Sequence, residues 1–215
     1  MRKRHVILLT AALLLCIGLL LPGCAGKSVP SLRDGDSIGY PGVAWFCTPE
    51  ELFSALNVSA DAATIYDATK KEGDGSYDVT IEGQKLFGEE KGITFSFVVS
   101  PKDQELRLVG INIVYDESVD MAKIREKVEA SLGPAQEEPT GEANLQMPDV
   151  EPTDLSGHVA YWNSKNTITY PNGTEAPARR LTWTDDWRIW RLGTTDTDIA
   201  KSGCLSMYAL DMPTD

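Results

Sequence analysis

The sequence predicts an α+β fold in which one or two antiparallel β-meanders pack with two or three helices. Three observations support this class. Residues 77–115 contain three runs of alternating apolar and polar side chains, as half-buried strands do. Residues 48–56 and 118–132 combine helix start signals with apolar residues at helical spacing. Residues 157–212 return to short strand-like runs separated by turn sequences.

The first helix is predicted to begin after Thr48. Thr48 is a favoured N-cap residue, Pro49 takes the first helical position, and Glu51 stands three residues after the cap. This spacing is that of a capping box. A second short helix is predicted over 61–69, where apolar residues recur at helical spacing.

The first meander is predicted to contain three strands, over 77–82, 93–99 and 106–115. The alternation changes phase between Leu108 and Val109, which indicates a β-bulge or a strand buried on both faces. Residues 89–92 and 101–104 are the predicted connections.

The next helix is predicted to start at Ser118 and to stop at Gly133, which a proline follows. Its apolar residues form a stripe predicted to pack on the sheet: Met121, Ile124, Val128 and Leu132.

Residues 134–156 have a different composition, with four prolines, six acidic residues and no basic residue. Such a stretch is typical of a loop or linker. The folded region is therefore predicted over 45–215, either as one domain or as two halves, 48–133 and 157–212, joined by this acidic linker.

The N-terminus has the parts of a secretory signal peptide. A basic head, residues 2–4, precedes an uncharged apolar run over 6–21. At 16 residues this run is shorter than the roughly 20 that a bilayer-spanning helix needs, and small residues follow it at the position of a cleavage site.

This arrangement resembles the signal peptides of bacterial lipoproteins, whose lipobox ends in an invariant cysteine. Leu21, Gly23 and Cys24 match the lipobox, whereas Pro22 is an atypical residue at its position. The resemblance implies that the signal peptide 1–23 is removed and that Cys24 is lipidated. Two or three acyl chains give stable membrane anchoring where one is marginal. The alternative is an ordinary secretory signal in which Cys24 has no special role.

The composition supports an anchor of this kind. Removal of 1–23 leaves 17 basic and 32 acidic residues, so the net charge changes from −12 to −15. So acidic a chain does not bind nucleic acid or anionic headgroups through charge. The predicted location is the extracytoplasmic side of the cell membrane, or the outer membrane in a bacterium that has one. Residues 24–44, rich in Gly, Ser, Pro and Asp, are predicted to form the lipidated tether.

Few side chains suit catalysis or metal binding. His158 is the only histidine after the signal peptide, and its context matches no nucleophile motif. The acidic pairs at 74–78 and 196–198 lack the twelve-residue calcium loop. The sequence therefore predicts no catalytic residue, no metal and no cofactor.

Cys47 and Cys204 lie near the two ends of the folded region. They allow two alternatives, a disulfide in an exported protein or a pair of buried thiols, and the sequence is compatible with both.

Four of the five tryptophans fall between residues 162 and 190. With two nearby arginines they are a candidate binding surface, because exposed tryptophan and arginine are frequent at recognition sites. The alternative is that the large rings fill a small β core. The candidate surface comprises Trp162, Trp183, Trp187, Trp190, Arg188 and Arg191.

The predicted function is a lipid-anchored, non-catalytic binding domain for a protein or carbohydrate. The order of helices and strands resembles the β-lactamase-inhibitor-like fold of small envelope and secreted proteins, and that resemblance implies protein binding. Two alternatives stay open: an envelope hydrolase that uses carboxylates, and a carrier of a small solute or carbohydrate with one deep aromatic pocket.

Overall fold

The computed structural model of the chain describes residues 29–71, 75–88, 90–138, 154–188 and 201–210. The strands are β1 (Arg33–Asp34), β2 (Ser37–Ile38), β3 (Ala63–Asp67), β4 (Ser76–Ile81), β5 (Glu90–Val99), β6 (Leu106–Tyr115), β7 (Val159–Asn163), β8 (Thr167–Thr169), β9 (Glu175–Pro177), β10 (Arg179–Thr184) and β11 (Gly203–Ala209). The α-helices of the described residues are α1 (Pro49–Leu56) and α2 (Met121–Leu132).

Seven strands form one antiparallel sheet in the order β3-β4-β5-β6-β11-β10-β7. Strands β3 to β6 make a meander, and β11 pairs with β6 to join the later strands to it. Two-stranded pairs, β1–β2 and β8–β9, stand apart from this sheet. The fold is therefore α+β with a large antiparallel meander.

The predicted phase change in the third meander strand is a β-bulge. Ser96 of β5 lies opposite Gly110 of β6, but the next residue, Phe97, lies opposite Leu108. Val109 is the extra residue, and its presence returns the apolar side chains on both sides of it to one face.

Two local predictions in this region are wrong. The predicted helix over 61–69 is a 3₁₀ turn, Ala60–Ala62, followed by β3. The short apolar pattern fits either period, and β-branched and aromatic residues favour the strand that β4 can pair. The predicted connection at 89–92 ends earlier, since β5 begins at Glu90. The Glu90 carboxylate accepts the backbone N–H of Leu86 at 3.2 Å, which ties the preceding turn to the strand.

Helix α1 has the predicted capping box. Thr48 Oγ1 accepts from the N–H of Glu51 at 3.3 Å, and Glu51 Oε2 accepts from the N–H of Thr48 at 2.8 Å. Leu52 on its inner face is buried. This reciprocal pairing satisfies two of the backbone donors that a helix start leaves open.

Helix α2 buries all four residues of the predicted stripe and ends at Gly133, whose φ is +87°. Its N-cap is Asp120 and not Ser118 as predicted, since Asp120 Oδ1 accepts from the N–H of Ala122 at 3.1 Å. Aspartate and serine are comparable caps, so the position is decided by where the apolar stripe meets the sheet.

The predicted tether is wrong for the part of it that is described. Leu32, Ile38 and Tyr40 are buried, and the Tyr40 ring packs edge-to-face on Phe95 of β5 with a centroid distance of 5.6 Å. Glycine and aspartate at the β1–β2 turn bring these apolar residues onto the sheet rather than leaving them in solvent. Residues 1–28, with Cys24, lie outside the described residues.

The start of the predicted linker runs along strand β7. Gln136 donates its N–H to Tyr161 O at 2.9 Å, and Tyr161 donates its N–H to Glu137 O at 2.9 Å. Residues 139–153 lie outside the described residues. Asn172 and Gly173 lie in the turn that closes the β8–β9 hairpin, with Gly173 at φ +83°.

The core lies on one face of the sheet, which we call the helix face. Alternate residues of the central strands point there and are buried: Ile93, Phe95, Ile111, Ile113, Leu181, Trp183, Leu205 and Met207. Helix α2 and the segment from Leu32 to α1 join them in one core. Each large apolar side chain that is fully buried stabilises the fold by about 1.5–3 kcal/mol. Among the described residues no helix is both long and apolar enough to span a membrane.

Candidate functional site

Two tryptophans of the predicted binding surface belong to the core. Trp162 is fully buried and its Nε1 donates to Gly133 O at 2.8 Å. Trp183 is buried and its Nε1 donates to Met121 O at 3.0 Å. The indoles thus attach both ends of α2 to the sheet, so the core alternative is correct for both residues and the binding-surface prediction is wrong for them.

Arg188, from the same prediction, is also interior. Its Nε and Nη2 donate to the two carboxylate oxygens of Asp186 at 2.9 and 2.6 Å, and both residues are buried. Trp187 is half-buried, and residues 187–188 are helical where a strand was predicted. Trp190 and Arg191 lie outside the described residues. The predicted surface is therefore not formed by Trp162, Trp183 and Arg188.

Cys47 and Cys204 do not form a disulfide, and both are buried. The backbone of Cys47 lies beside Leu108, whereas Cys204 lies opposite Val114 on the same strand. That separation along β6 is about 20 Å, and a disulfide needs Cα atoms within about 7 Å. The buried-thiol alternative is correct. Burial raises the pKa of the Cys47 thiol to about 11, with a smaller contribution from the Glu51 charge.

His158 is held by a carboxylate at the end of the β7–β10 pair. Its Nδ1 lies 2.9 and 3.1 Å from the two carboxylate oxygens of Asp185. Both side chains are partly exposed. In the described part of the chain no serine, threonine or cysteine side chain is hydrogen-bonded to the imidazole. His158 precedes β7 and Asp185 follows β10, so the pair links adjacent ends of these two strands.

Two cavities are bounded by described residues. One of about 450 Å³ is an open cleft beside the β1–β2 turn, and Tyr40 and Trp45 are among the residues that line it. The other, about 440 Å³, lies between the start of α2 and the strand ends. Its charged lining residues are Asp116, Glu117, Asp120, Arg125, Asp185 and Lys201. Within the described ranges, no cluster of three or more His, Cys, Asp or Glu side chains could hold a metal ion.

The second face of the sheet carries a continuous polar row. One hydroxyl- or amide-bearing residue from each of the seven strands stands in register with its neighbours: Thr64, Thr80, Thr94, Asn112, Ser206, Thr182 and Tyr161. Because side chains alternate along a strand, this row points away from the apolar core.

Exposure of this row changes across the sheet. Ser206 and Thr182 are each only 2% exposed, whereas the residues on β4, β5 and β6 are half-buried and Thr64 is exposed. We call the accessible part on β4 to β6 the open face. It comprises Asp78, Thr80, Thr94, Ser96 and Asn112.

Hydrogen bonds fix the orientation of these groups. Thr80 and Thr94 share a bond between their hydroxyls at 2.9 Å. Asn112 Oδ1 accepts from Ser206 Oγ at 2.8 Å and from Tyr208 Oη at 3.3 Å. Among the described residues nothing accepts from Asn112 Nδ2, so its two N–H donors are available to a ligand.

Gly110 lies within the open face, between Ser96 and Tyr208. A Cβ on Gly110 would lie 3.4 Å from Ser96 Cβ and 3.7 Å from the Tyr208 ring. Tyr208 borders the open face on β11, and Tyr66, which is 50% exposed, borders it on β3. A flat surface of fixed donors and acceptors bordered by aromatic rings suits a hydrogen-bonding ligand such as a polypeptide or a sugar.

The open face was not among the sites predicted from the sequence. The alternation placed Thr80, Thr94 and Asn112 at polar positions of their strands, and that was the available signal. No family model matches the chain, and no curated protein or solved structure gives a match. The similarity to bacterial lipoprotein signals and to the β-lactamase-inhibitor-like fold stays a prediction.

Proposed function

We propose that the protein is a lipid-anchored binding domain on the extracytoplasmic side of the cell membrane, and that it holds its ligand on the open face without catalysis. The observation that supports binding is the register of hydroxyl and amide groups across the sheet, with the half-buried Asn112 held through its Oδ1 by Ser206. The anchor rests on the signal peptide and Cys24.

With an anchor at Cys24, the length of chain before the core would limit the distance between the domain and the membrane. Leu32 already belongs to the core, and it lies eight positions after Cys24. Even a fully extended chain of that length spans only about 29 Å. A ligand of this domain is therefore expected within a few nanometres of the headgroups.

The first experiment tests the anchor. The full chain and its Cys24→Ala variant are expressed with a labelled fatty acid in a bacterium that processes lipoproteins. We expect label on the wild type in the membrane fraction, and an unlabelled variant in the soluble fraction. Cys47→Ala is the matched control and keeps the label. An unlabelled wild type, or a Cys24→Ala variant that stays on the membrane, contradicts the anchor.

The second experiment tests the open face. Intact cells that carry the full chain are treated with a cleavable crosslinker, and the captured partners are identified. Ser96→Lys places a long cation on the open face and is expected to abolish capture. Thr169→Lys makes a comparable change on the exposed strand β8 and is expected to leave capture intact. Equal capture by both variants would exclude the open face.

A hydrolase is the second candidate, because four carboxylates line the cavity beside α2. Glycosidases use two carboxyl groups about 5–10 Å apart in one cleft. This alternative predicts turnover of chromogenic glycosides by the purified protein, lost in Asp185→Asn. Absence of turnover across a panel of sugars removes it.

A further inference from the structure

The two edges of the large sheet differ in how they are covered. Strand β7 is bordered by Gln136 and Glu137, which exchange three backbone hydrogen bonds with Tyr161. Strand β3 is the last strand on the other side, and in the described part of the chain β4 is its only ladder partner. An edge strand presents a row of backbone donors and acceptors to any extended chain.

Among the described residues, strand β3 has only one of the features that hinder such pairing, the charged side chain of Asp67 at its end. Its five residues pair with β4 in an unbroken register, without a bulge, and include neither proline nor lysine. Four of the five are exposed, among them Ile65 at 42% and Tyr66 at 50%. Natural sheets normally place a lysine, a proline or a bulge in an edge of this kind.

The charges around this edge are mainly acidic. Asp61 precedes β3, Asp67 ends it, and Asp78 lies opposite Tyr66 on β4. Two hydrogen bonds from Thr69 lower the pKa of Asp67, so that carboxylate is ionised at neutral pH. Lys70 and Lys71 follow the strand and offset part of this charge.

We propose that β3 accepts an extended, basic segment of another polypeptide as an eighth strand of the sheet. A second copy of this chain fits less well, because each copy is strongly acidic, with a net charge of −12 for the full sequence and −15 without residues 1–23. This inference goes beyond the proposed function, since it concerns a sheet edge and not the open face.

The pairing geometry specifies the pattern of that segment. Side chains of an added strand alternate between the two faces of the sheet. On the helix face an apolar residue would meet Ile65. On the other face a lysine or arginine would lie over the Tyr66 ring, where a cation is attracted. The new strand would be about 10 Å from β4, so the same cation also reaches Asp78. Alternating apolar and basic residues therefore fit best.

The test uses the full lipidated chain in detergent and a blocked eight-residue peptide of alternating valine and lysine. A second peptide has the same sequence with alternate backbone nitrogens methylated, which keeps its charge and removes its strand pairing. We expect the parent peptide to bind at least tenfold more tightly than the methylated one, and amides of 63–67 to gain protection from hydrogen exchange. Equal binding of the two peptides would overturn the proposal.

Protein variants give an independent result. Thr64→Lys puts a cation on β3 and should weaken binding of the parent peptide at least tenfold, whereas Thr169→Lys on β8 should not change it. Asn112→Ala, on the open face but two strands further from the edge than Asp78, should leave peptide binding intact, which separates this proposal from the proposed function. If Thr64→Lys fails to fold, the hydrogen-exchange result on the unmodified protein decides. Peptide binding without protection of 63–67 would refute the edge site.

Discussion

At the scale of single residues, burial sets the chemistry of the Cys47 thiol. The side chain lies in the core beside β6, and loss of solvent raises its pKa to about 11. Thiolates are the reactive form of cysteine, so Cys47 is inert at neutral pH. Because the two thiols are buried and separated, the fold does not depend on an oxidising compartment.

The raised pKa predicts a pH dependence of stability. The folded state disfavours the thiolate, so the free energy of unfolding is unaffected below the ordinary thiol pKa of 9.0 and falls as pH rises towards about 11. The loss attributable to Cys47 is about 1 kcal/mol at pH 10. Urea unfolding of the wild type and Cys47→Ala from pH 7 to pH 10 measures it. The variant should lose less stability over this range, and parallel pH profiles would contradict the prediction.

At the scale of elements, α2 and β11 approach so closely that only glycine fits between them. A Cβ on Gly203 would overlap Met121 Cγ and Sδ at the start of α2. Trp183 holds the same end of the helix through its hydrogen bond to Met121 O. The helix therefore cannot move away from the sheet without breaking a buried bond, and its position depends on residue 203.

Gly203→Ala is expected to destabilise the protein by about 1–3 kcal/mol, as overpacking of a filled site does. Gly92→Ala is the matched control. Its φ is not positive and its nearest neighbour would be Thr80 Cγ2 at 3.7 Å, so the change should stay below about 1 kcal/mol. Chemical denaturation measures the free energy of unfolding of both variants. Equal losses of stability would show that the α2–β11 contact accommodates the added methyl group without strain.

Local patterns explain which elements could be predicted. The capping box of α1, the apolar stripe of α2 and the bulge at Val109 each depend on residues close in sequence. Strand β3 was predicted as a helix because five residues do not distinguish the two periods, and the partner β4 decides the outcome. Likewise, the alternation of apolar and polar residues does not show whether a tryptophan side chain points into the core or to an exposed surface.

The candidate site needed information that no local pattern contains. The open face is aligned by the register of three strands, and its Asn112 is oriented by Ser206, 94 residues away in sequence. The backbone bonds that border β7 join Tyr161 to residues 24 and 25 positions earlier, and in the described part of the chain β3 has only β4 as a ladder partner. Strand pairing between distant segments determines which residues share these surfaces.

At the scale of the whole molecule, the two predicted halves share one sheet. Strand β6 of the first half pairs with β11 of the second over six residue pairs, and the buried side chains on both sides form a single core. Neither half can bury its share of that core alone. The halves are therefore expected to unfold together, as a small cooperative domain does.

Tryptophan fluorescence tests this, because four of the five tryptophans lie in the second half. In a Trp45→Phe background, Ile93→Val removes one buried methyl from β5 in the first half, at a cost of about 0.5–1.5 kcal/mol. If the sheet unfolds as one unit, the urea midpoint seen by fluorescence falls as far as the midpoint seen by far-UV circular dichroism. Strand β11 links the loss of stability in the first half to the second half, because Ile93 lies opposite Ile113 of β6 and Ile113 lies opposite Leu205 of β11. A fluorescence midpoint that stays fixed while the dichroism midpoint falls would mean that the halves unfold independently.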